Sequence, residues 1–305
     1  MKNDVTYERY DKISCKTPSI LVEGANIRYP EILFINIRNK SNNNAIFPDT
    51  LTQIADRLDS VRGRVNYVVF YPGSYPPQQP LQRGLRGRLN NFLNILFPYE
   101  SSLLSEGAFS VGADVPYMAS QTNETAYGFS RVGQIAIQRI EKSPLIKIAA
   151  IDGFCIGGGC ELAAACDFRI SSPKAKFLMP EKRLGILPGW GGCSRLQRHV
   201  GTEETLKILS DGEKRLSLKP EKAFEIGFVD YVASEGDIAQ TVFDMILEGY
   251  FDNMNSRSRN SQEKSPLLPR NDLEEARLFQ EAFRNGAPES MIRHIESEKA
   301  RSINN

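Results

Sequence analysis

Between residues 148 and 195 the chain reads IAAIDGFCIGGGCELAAACDFRISSPKAKFLMPEKRLGILPGWGGCSR. An apolar strand runs into three consecutive glycines, Gly157, Gly158 and Gly159, and a helix opens there with a carboxylate, Glu161, in its first turn. A second carboxylate, Glu181, follows a further strand and the turn at Pro180. Without side chains, the glycine backbone can approach a ligand closely, with its N–H groups pointing outward. A helix starting at that point adds the positive end of its dipole. Such a unit can hold a carbonyl oxygen, with two ionisable groups beside the carbon chain attached to it. The same glycines would also serve plain close packing of strand on helix, and both readings stand at this level.

A second glycine turn lies at Gly112-Ala113-Asp114. Two backbone donors from separate turns, converging on one oxygen, make an oxyanion hole. Removing one donor from such a hole typically costs about 3–4 kcal/mol of transition-state stabilisation. Other glycine-rich sites are excluded. There is no Gly-Lys-Ser/Thr, and a dinucleotide fingerprint would need glycine where Leu162 stands. Leu162, Ala163, Ala164 and Ala165 make the surroundings of Glu161 apolar, and a buried carboxyl exchanges protons nearer neutral pH. Glu181 either shares a water with Glu161 or forms an ion pair with Lys182, Arg183 or a distant base.

Composition narrows the class. The 305 residues are 41% hydrophobic and 25% charged with a formal net charge of +1, which fits a globular protein without a field for nucleic acid or anionic membrane. The first residues carry no apolar run, and the stretch 148–166 is interrupted by Asp152, the glycines and Glu161, so neither a signal peptide nor a membrane span is expected. The expected compartment is the cytoplasm. Cys15, Cys155, Cys160, Cys166 and Cys193 form no CxxC pair and read as small core residues. His199 and His294 are too few for a multi-histidine metal site, and His199 reads as a surface or capping residue.

Along the chain, 31–38 and 66–71 read as strands flanking a helix over 47–61, an order that requires a crossover and a parallel sheet. Residues 72–108 are proline-rich at first, then carry Arg83, Arg86 and Arg88; this segment reads as an insertion with a solvated basic loop. The pattern resumes with a strand and turn at 108–115, a helix over 125–142, and strands at 146–151, 168–170 and 175–178. Helices are expected from residue 193 onward, with a polar linker at 253–272 and helices at 273–285 and 289–299.

The segment AAIDGFCIGGGCELAAACDFRI with AKFLMPEKRLGILPGWGG resembles the signature region of the enoyl-CoA hydratase/isomerase (crotonase) superfamily. AFSVGADV resembles its other oxyanion segment, and INIRNKSNNNAI its first loop at the CoA site. The likeness spans roughly 30–232 and is most specific over 144–200. It implies an α/β fold, a spiral of ββα units over 1–235, followed by a helical C-terminal region over 236–305. It implies Ala113 and Gly158 as the oxyanion hole, Glu161 and Glu181 as catalytic acid and base, and contacts to substrate from Arg38, Lys40, Asp114, Val115, Pro116 and Trp190. The implied reaction is addition or removal of water across the 2,3 double bond of an acyl thioester. The substrate would be acyl-CoA or an acyl-carrier-protein thioester, with no cofactor beyond the CoA or phosphopantetheine it carries. A homotrimer or dimer of trimers, without membrane or nucleic-acid partners, is the implied assembly. Isomerase, decarboxylase or hydrolase chemistry on a specialised thioester stays open, as does a non-catalytic RNA- or protein-binding scaffold using the 83–88 arginines. Two departures stand out: the insertion, and a C-terminal part that diverges from the family's helical ending after about residue 235.

Overall fold

The computed structural model describes residues 4–9, 32–38, 45–72, 108–213, 217–234, 238–253, 268–269, 271–293 and 296. The insertion beyond residue 72, the linker 254–267, Lys40, Arg83, Arg86, Arg88, Cys15 and His294 lie outside them.

The chain order is β1 (Asp4–Arg9), β2 (Ile32–Arg38), α1 (Pro48–Ser60), β3 (Tyr67–Tyr71), β4 (Ala108–Ser110), α2 (Val115–Ala119), α3 (Asn123–Lys142), β5 (Ile146–Ile151), β6 (Phe154–Ile156) and α4 (Gly158–Ala164). There follow β7 (Phe168–Ser171), β8 (Lys176–Leu178), a 3₁₀ turn (Glu181–Leu184), α5 (Gly192–Glu213), α6 (Pro220–Glu225), β9 (Tyr231–Val232), α7 (Ile238–Leu247), α8 (Tyr250–Asn253) and α9 (Asp272–Arg284). The strands form two sheets, β1-β2-β3-β5-β7-β9 and β4-β6-β8. All pairings except β1 with β2 are parallel.

Strands alternate between the sheets along the chain: β3 then β4, β5 then β6, β7 then β8. Isolated bridges continue the small sheet on both sides, Ile46 to Ala113 and Phe177 to Leu218. This is the expected spiral of strand pairs and helices. Period-two alternation explains the uninterrupted apolar runs of the large sheet. Leu33, Ile35, Val68, Phe70, Ala149 and Ile151 face one core with α1 and α3, whereas Ile32, Tyr67, Val69, Tyr71, Ile148, Ala150 and Ile170 face a second core closed by α7.

Residues from 193 onward are not all helical. Tyr231–Val232 adds β9 to the parallel sheet, beside β7. Two residues are too few to show alternation, so this strand is held by its surroundings. The main support is Arg169 in β7, 3% exposed. Its guanidinium reaches the Phe228 carbonyl at 2.6 Å, the Cys166 carbonyl at 2.8 Å and Asp230 at 2.6 Å. The α5 helix is broken at Gly201, where φ is 82°. Among the described residues no helix is long and apolar enough to cross a membrane.

Replacing Arg169 with leucine strands two buried carbonyls and takes the guanidinium from Asp230, which keeps the residue 169 backbone N–H. Such a loss of one partner of a buried pair is expected to cost about 3–5 kcal/mol in urea unfolding, with the effect centred on the β7–β9 edge.

Candidate active site

Parallel pairing of β4, β6 and β8 puts their carboxyl ends side by side, and three site segments leave from that edge. Residues 111–114 follow β4, the glycine run follows β6, and residues 179–181 follow β8. Crevices at strand carboxyl ends are where α/β sheets bind ligands. One cavity of about 50 Å³ opens here, lined by Ala113, Val115, Gly157, Gly158, Glu161, Glu181 and Trp190 among others. In the same measure one water needs roughly 10–15 Å³, so the space holds a few water-sized groups.

The three glycines differ in what their backbone does. Gly157 has φ 50° and ψ −118°, a left-handed turn that joins β6 to α4. Gly158 opens α4, so its N–H belongs to the first turn, which has no intrahelical partner. A Cβ on Gly158 would lie 2.4 Å from the Trp190 ring and 3.3 Å from the Ala113 nitrogen, so the two backbone segments touch in the cavity wall. Gly159 is a packing glycine: a Cβ there would meet the Ser110 carbonyl at 2.7 Å.

Glu161 is 3% exposed and Glu181 6%. Glu161 Oε1 accepts the N–H groups of Trp190 and Gly192, each at 2.8 Å. Burial raises the Glu161 carboxyl to about 7, against the lowering effect of those two amides. Glu181 rises further, to about 8, first through burial and then through the charge of Glu161. Among the described residues Glu181 Oε2 has no hydrogen-bond partner. The ion pair to Lys182 or Arg183 that local sequence allowed is thus replaced by a buried carboxyl facing the cavity.

The other expected substrate contacts separate. Val115 lines the cavity, and Asp114 caps α2 by accepting the Tyr117 N–H at 2.8 Å. Pro116 is exposed in the first turn of α2, outside the cavity wall. Arg38 ends β2, with its side chain outside the described residues. Trp190, 1% exposed, forms cavity wall and packs tightly at once: its indole lies against Gly133 of α3 as well as Gly158. Phe129 sits 5.8 Å from it and stacks on Phe279 of α9 at 5.9 Å.

Four of the cysteines (Cys155, Cys160, Cys166, Cys193) are buried and free. Burial raises the Cys155 and Cys193 thiols well above their usual range, which leaves them unreactive. His199 contacts the Ala164 carbonyl through Nε2 at 2.8 Å, capping the end of α4. Among the described residues no group of three or more His, Cys, Asp or Glu is arranged to hold a metal ion.

Sequence reasoning missed Glu275. This residue of α9 is fully buried and reaches the 190–193 turn, where Gly191 N–H donates to Oε1 and Cys193 N–H to Oε2 at 3.1 Å. The signal was present: Glu275, Phe279 and Phe283 recur every four residues, which sets a carboxylate on the apolar stripe of α9. Arg195 lies on the other side of the turn, 1% exposed. It donates to the Trp190 carbonyl at 3.0 Å and to Glu141 at 3.0 and 3.1 Å. Burial alone would raise Glu141, but Arg195 and Arg198 outweigh it and hold that carboxyl below its usual value.

The enoyl-CoA hydratase/isomerase family model matches residues 102–300. That match runs through α9, past residue 235, where the sequence was read as departing from the family. Among curated proteins, the chain is 30% identical over 181 residues to a fatty acid oxidation complex subunit alpha from Psychrobacter sp., covering 58% of this chain and 25% of that one. The corresponding subunit from Shewanella halifaxensis is 38% identical over 145 residues, covering 47% and 20%. The chain therefore spans about a quarter or less of these relatives. Among solved structures, an enoyl-CoA hydratase from Bacillus anthracis superposes with TM-score 0.58 at 21% identity, covering 92% of this chain and 91% of the other. An enoyl-CoA hydratase from Thermoplasma volcanium gives 0.55 at 26% identity, covering 71% and 74%. With the crotonase fold matched and most of its length within the family model, the chain belongs to the enoyl-CoA hydratase/isomerase family.

Proposed function

We propose that the chain is a hydro-lyase adding water across the 2,3 double bond of an acyl thioester, or removing it. The carrying observation is the unequal treatment of two buried carboxyls in one cavity wall: Glu161 accepts two amide N–H groups, while Glu181 leaves an oxygen without a partner. Hydrogen bonds from N–H groups favour the charged carboxylate, and desolvation without partners favours the neutral acid. Glu161 therefore gives up its proton before Glu181, and the singly ionised pair holds its charge on Glu161 and a proton on Glu181.

That asymmetry supplies a base and an acid together. The thioester oxygen accepts the N–H groups of Ala113 and Gly158. A water gives one proton to Glu161 as its oxygen bonds to C3. The C2–C3 π electrons move to form the enolate, whose charge rests on the thioester oxygen. Glu181 then delivers its proton to C2, the carbonyl reforms, and the product is the 3-hydroxyacyl thioester. Glu161 ends protonated and Glu181 ionised; exchange with solvent resets them, and the reverse sequence dehydrates. The names of the fatty acid oxidation relatives support a fatty-acyl thioester as substrate.

Glu161→Gln and Glu181→Gln are each expected to lower kcat by about 10²–10⁴-fold, the usual share of general acid–base catalysis. Binding of crotonyl-CoA should change little, because neither substitution touches the amide pair. Loss of the enoyl-thioester absorbance measures turnover, and calorimetry measures binding. Wild-type turnover in either variant would reject the assigned role. An inactive wild type that instead turns over a 3-enoyl or β-keto thioester would give the same hole to another reaction.

The same burial has a cost in stability. The Glu181 carboxyl sits near its usual 4.5 in the unfolded chain and at about 8 in the fold, so the folded state binds the extra proton across that window. Stability therefore falls as pH rises from about 4.5 towards about 8. Glu181→Gln removes the titration. Thermal melts should show the variant gaining on wild type across that window, by at most ~1.4 kcal/mol per pH unit. A gain independent of pH would contradict the assignment.

A further inference from the structure

Residues 190–193 present four consecutive backbone N–H groups, and the structure divides them alternately between two buried carboxylates. Trp190 and Gly192 donate to Glu161 of α4, and Gly191 and Cys193 donate to Glu275 of α9. The two glutamates are 114 residues apart in sequence, yet one peptide turn joins them. We propose that Glu275 is a positioning residue for Glu161: by holding the intervening amides it fixes the turn whose other amides orient the base. The proposal rests on the role of Glu161 given above.

Three features separate this from simple anchoring of a C-terminal helix. The turn has little freedom once Glu275 is in place, because its carbonyls are also taken. Gln134 Nε2 and the Ser130 hydroxyl donate to the Gly189 carbonyl, and Arg195 donates to the Trp190 carbonyl. The geometry also leaves no slack on the catalytic side, since a Cβ on Gly192 would lie 2.9 Å from Glu161 Oε1. Finally, α9, which carries Glu275, also places Phe279 in the cavity wall, so one helix braces both the turn and the wall. A displacement of the Gly191 or Cys193 amide passes through a single peptide bond to an amide that holds Glu161.

Glutamine at 275 keeps the size of the side chain but offers one acceptor oxygen to two N–H groups, placing an amide donor against a donor. Aspartate keeps both acceptor oxygens and withdraws them by one methylene. With crotonyl-CoA, Glu275→Gln should lower kcat by about tenfold or more while KM changes less than about twofold, the signature of an interaction that counts in the transition state. Because Glu275 acts through Glu161, the same change in a Glu161→Gln background should cost less than about threefold more. Losses that multiply in the double variant, or a lowered melting temperature with kcat intact, would overturn the proposal. So would failure of both Glu275→Gln and Glu275→Asp to fold, which would assign Glu275 to the fold alone.

A readout without turnover separates this proposal from the hydration reading. Trp190 is the single tryptophan of the chain, and its backbone N–H is bound to Glu161. Around Glu161 stand Glu181 from the 3₁₀ turn, Glu275 and Asp272 from α9, and Arg195 and Cys193 from α5, with Glu141 of α3 paired to Arg195. The step in a pH titration of tryptophan emission that Glu161→Gln abolishes belongs to Glu161. If wild type leaves crotonyl-CoA untouched, the hydration reading fails, and this titration decides the positioning role. Glu275→Gln should move the Glu161 step by about half a pH unit or more, the scale on which local hydrogen bonding shifts a carboxyl. A step that stays in place, or none at all, overturns the proposal.

Discussion

Parallel pairing of three very short strands is the constraint from which the site follows. β4, β6 and β8 contribute three residues each, too few to be stable as an isolated sheet. They are held because each is one half of a strand pair whose other half lies in the large sheet, buried on both faces. Since all three run the same way, the peptide turns that leave them lie next to each other. Ala113, Gly158 and Glu181 leave three different strands and are adjacent in space for that reason. An antiparallel strand in the middle would have sent the glycine run to the opposite edge.

Electrostatics then decides what the edge can do. Three carboxyls, Glu161, Glu181 and Glu275, are withdrawn from water in one region, and the charge of Glu161 raises the cost of ionising the other two. Burying an unpaired charge is expensive, so such groups either neutralise or find donors. The fold supplies donors unequally. The amides at the start of α5, together with Arg195 behind them, favour charge on Glu161, whereas Glu181 has no comparable support. A symmetric supply would have produced two acids or two bases. An unequal one leaves Glu161 easier to ionise than Glu181 in the same cavity wall, and the price is the loss of stability with rising pH that Glu181 imposes.

The glycine run and its two nearby carboxyls were legible as one cluster because these parts are local. Gly157–Gly159, Glu161, Pro180 and Glu181 lie within 25 residues, and each has a backbone reason to be where it is. The strands at 66–71 and 146–151 and the helices at 47–61 and 125–142 also came through, since their apolar patterns are long enough to have a period. What stayed hidden was set by distant contact. β9 is two residues long and exists through Arg169 and its partners. Glu275 follows Glu274 in a helix full of charge, and the residues on either side of the pair do not mark which one points inward. Only its place on the stripe with Phe279 and Phe283 hints at burial, and the partner it finds there is 84 residues away.

That distance bears on how such a site tolerates change in its C-terminal region. The turn at 190–193 has its N–H groups claimed by one carboxylate from the core and one from a helix that arrives last in the chain. The core carboxylate is fixed by α4, which packs against β4 through Gly159. The helix is fixed mainly by its face against α3, where Gln138 bonds Asp272 at 2.7 Å and Phe279 stacks on Phe129. Variation in the polar linker ahead of α9 is therefore expected to be neutral for the chemistry so long as this docking face is kept. Substitutions on the face itself, far from any reacting atom, would reach Glu161 through two hydrogen bonds and one peptide plane.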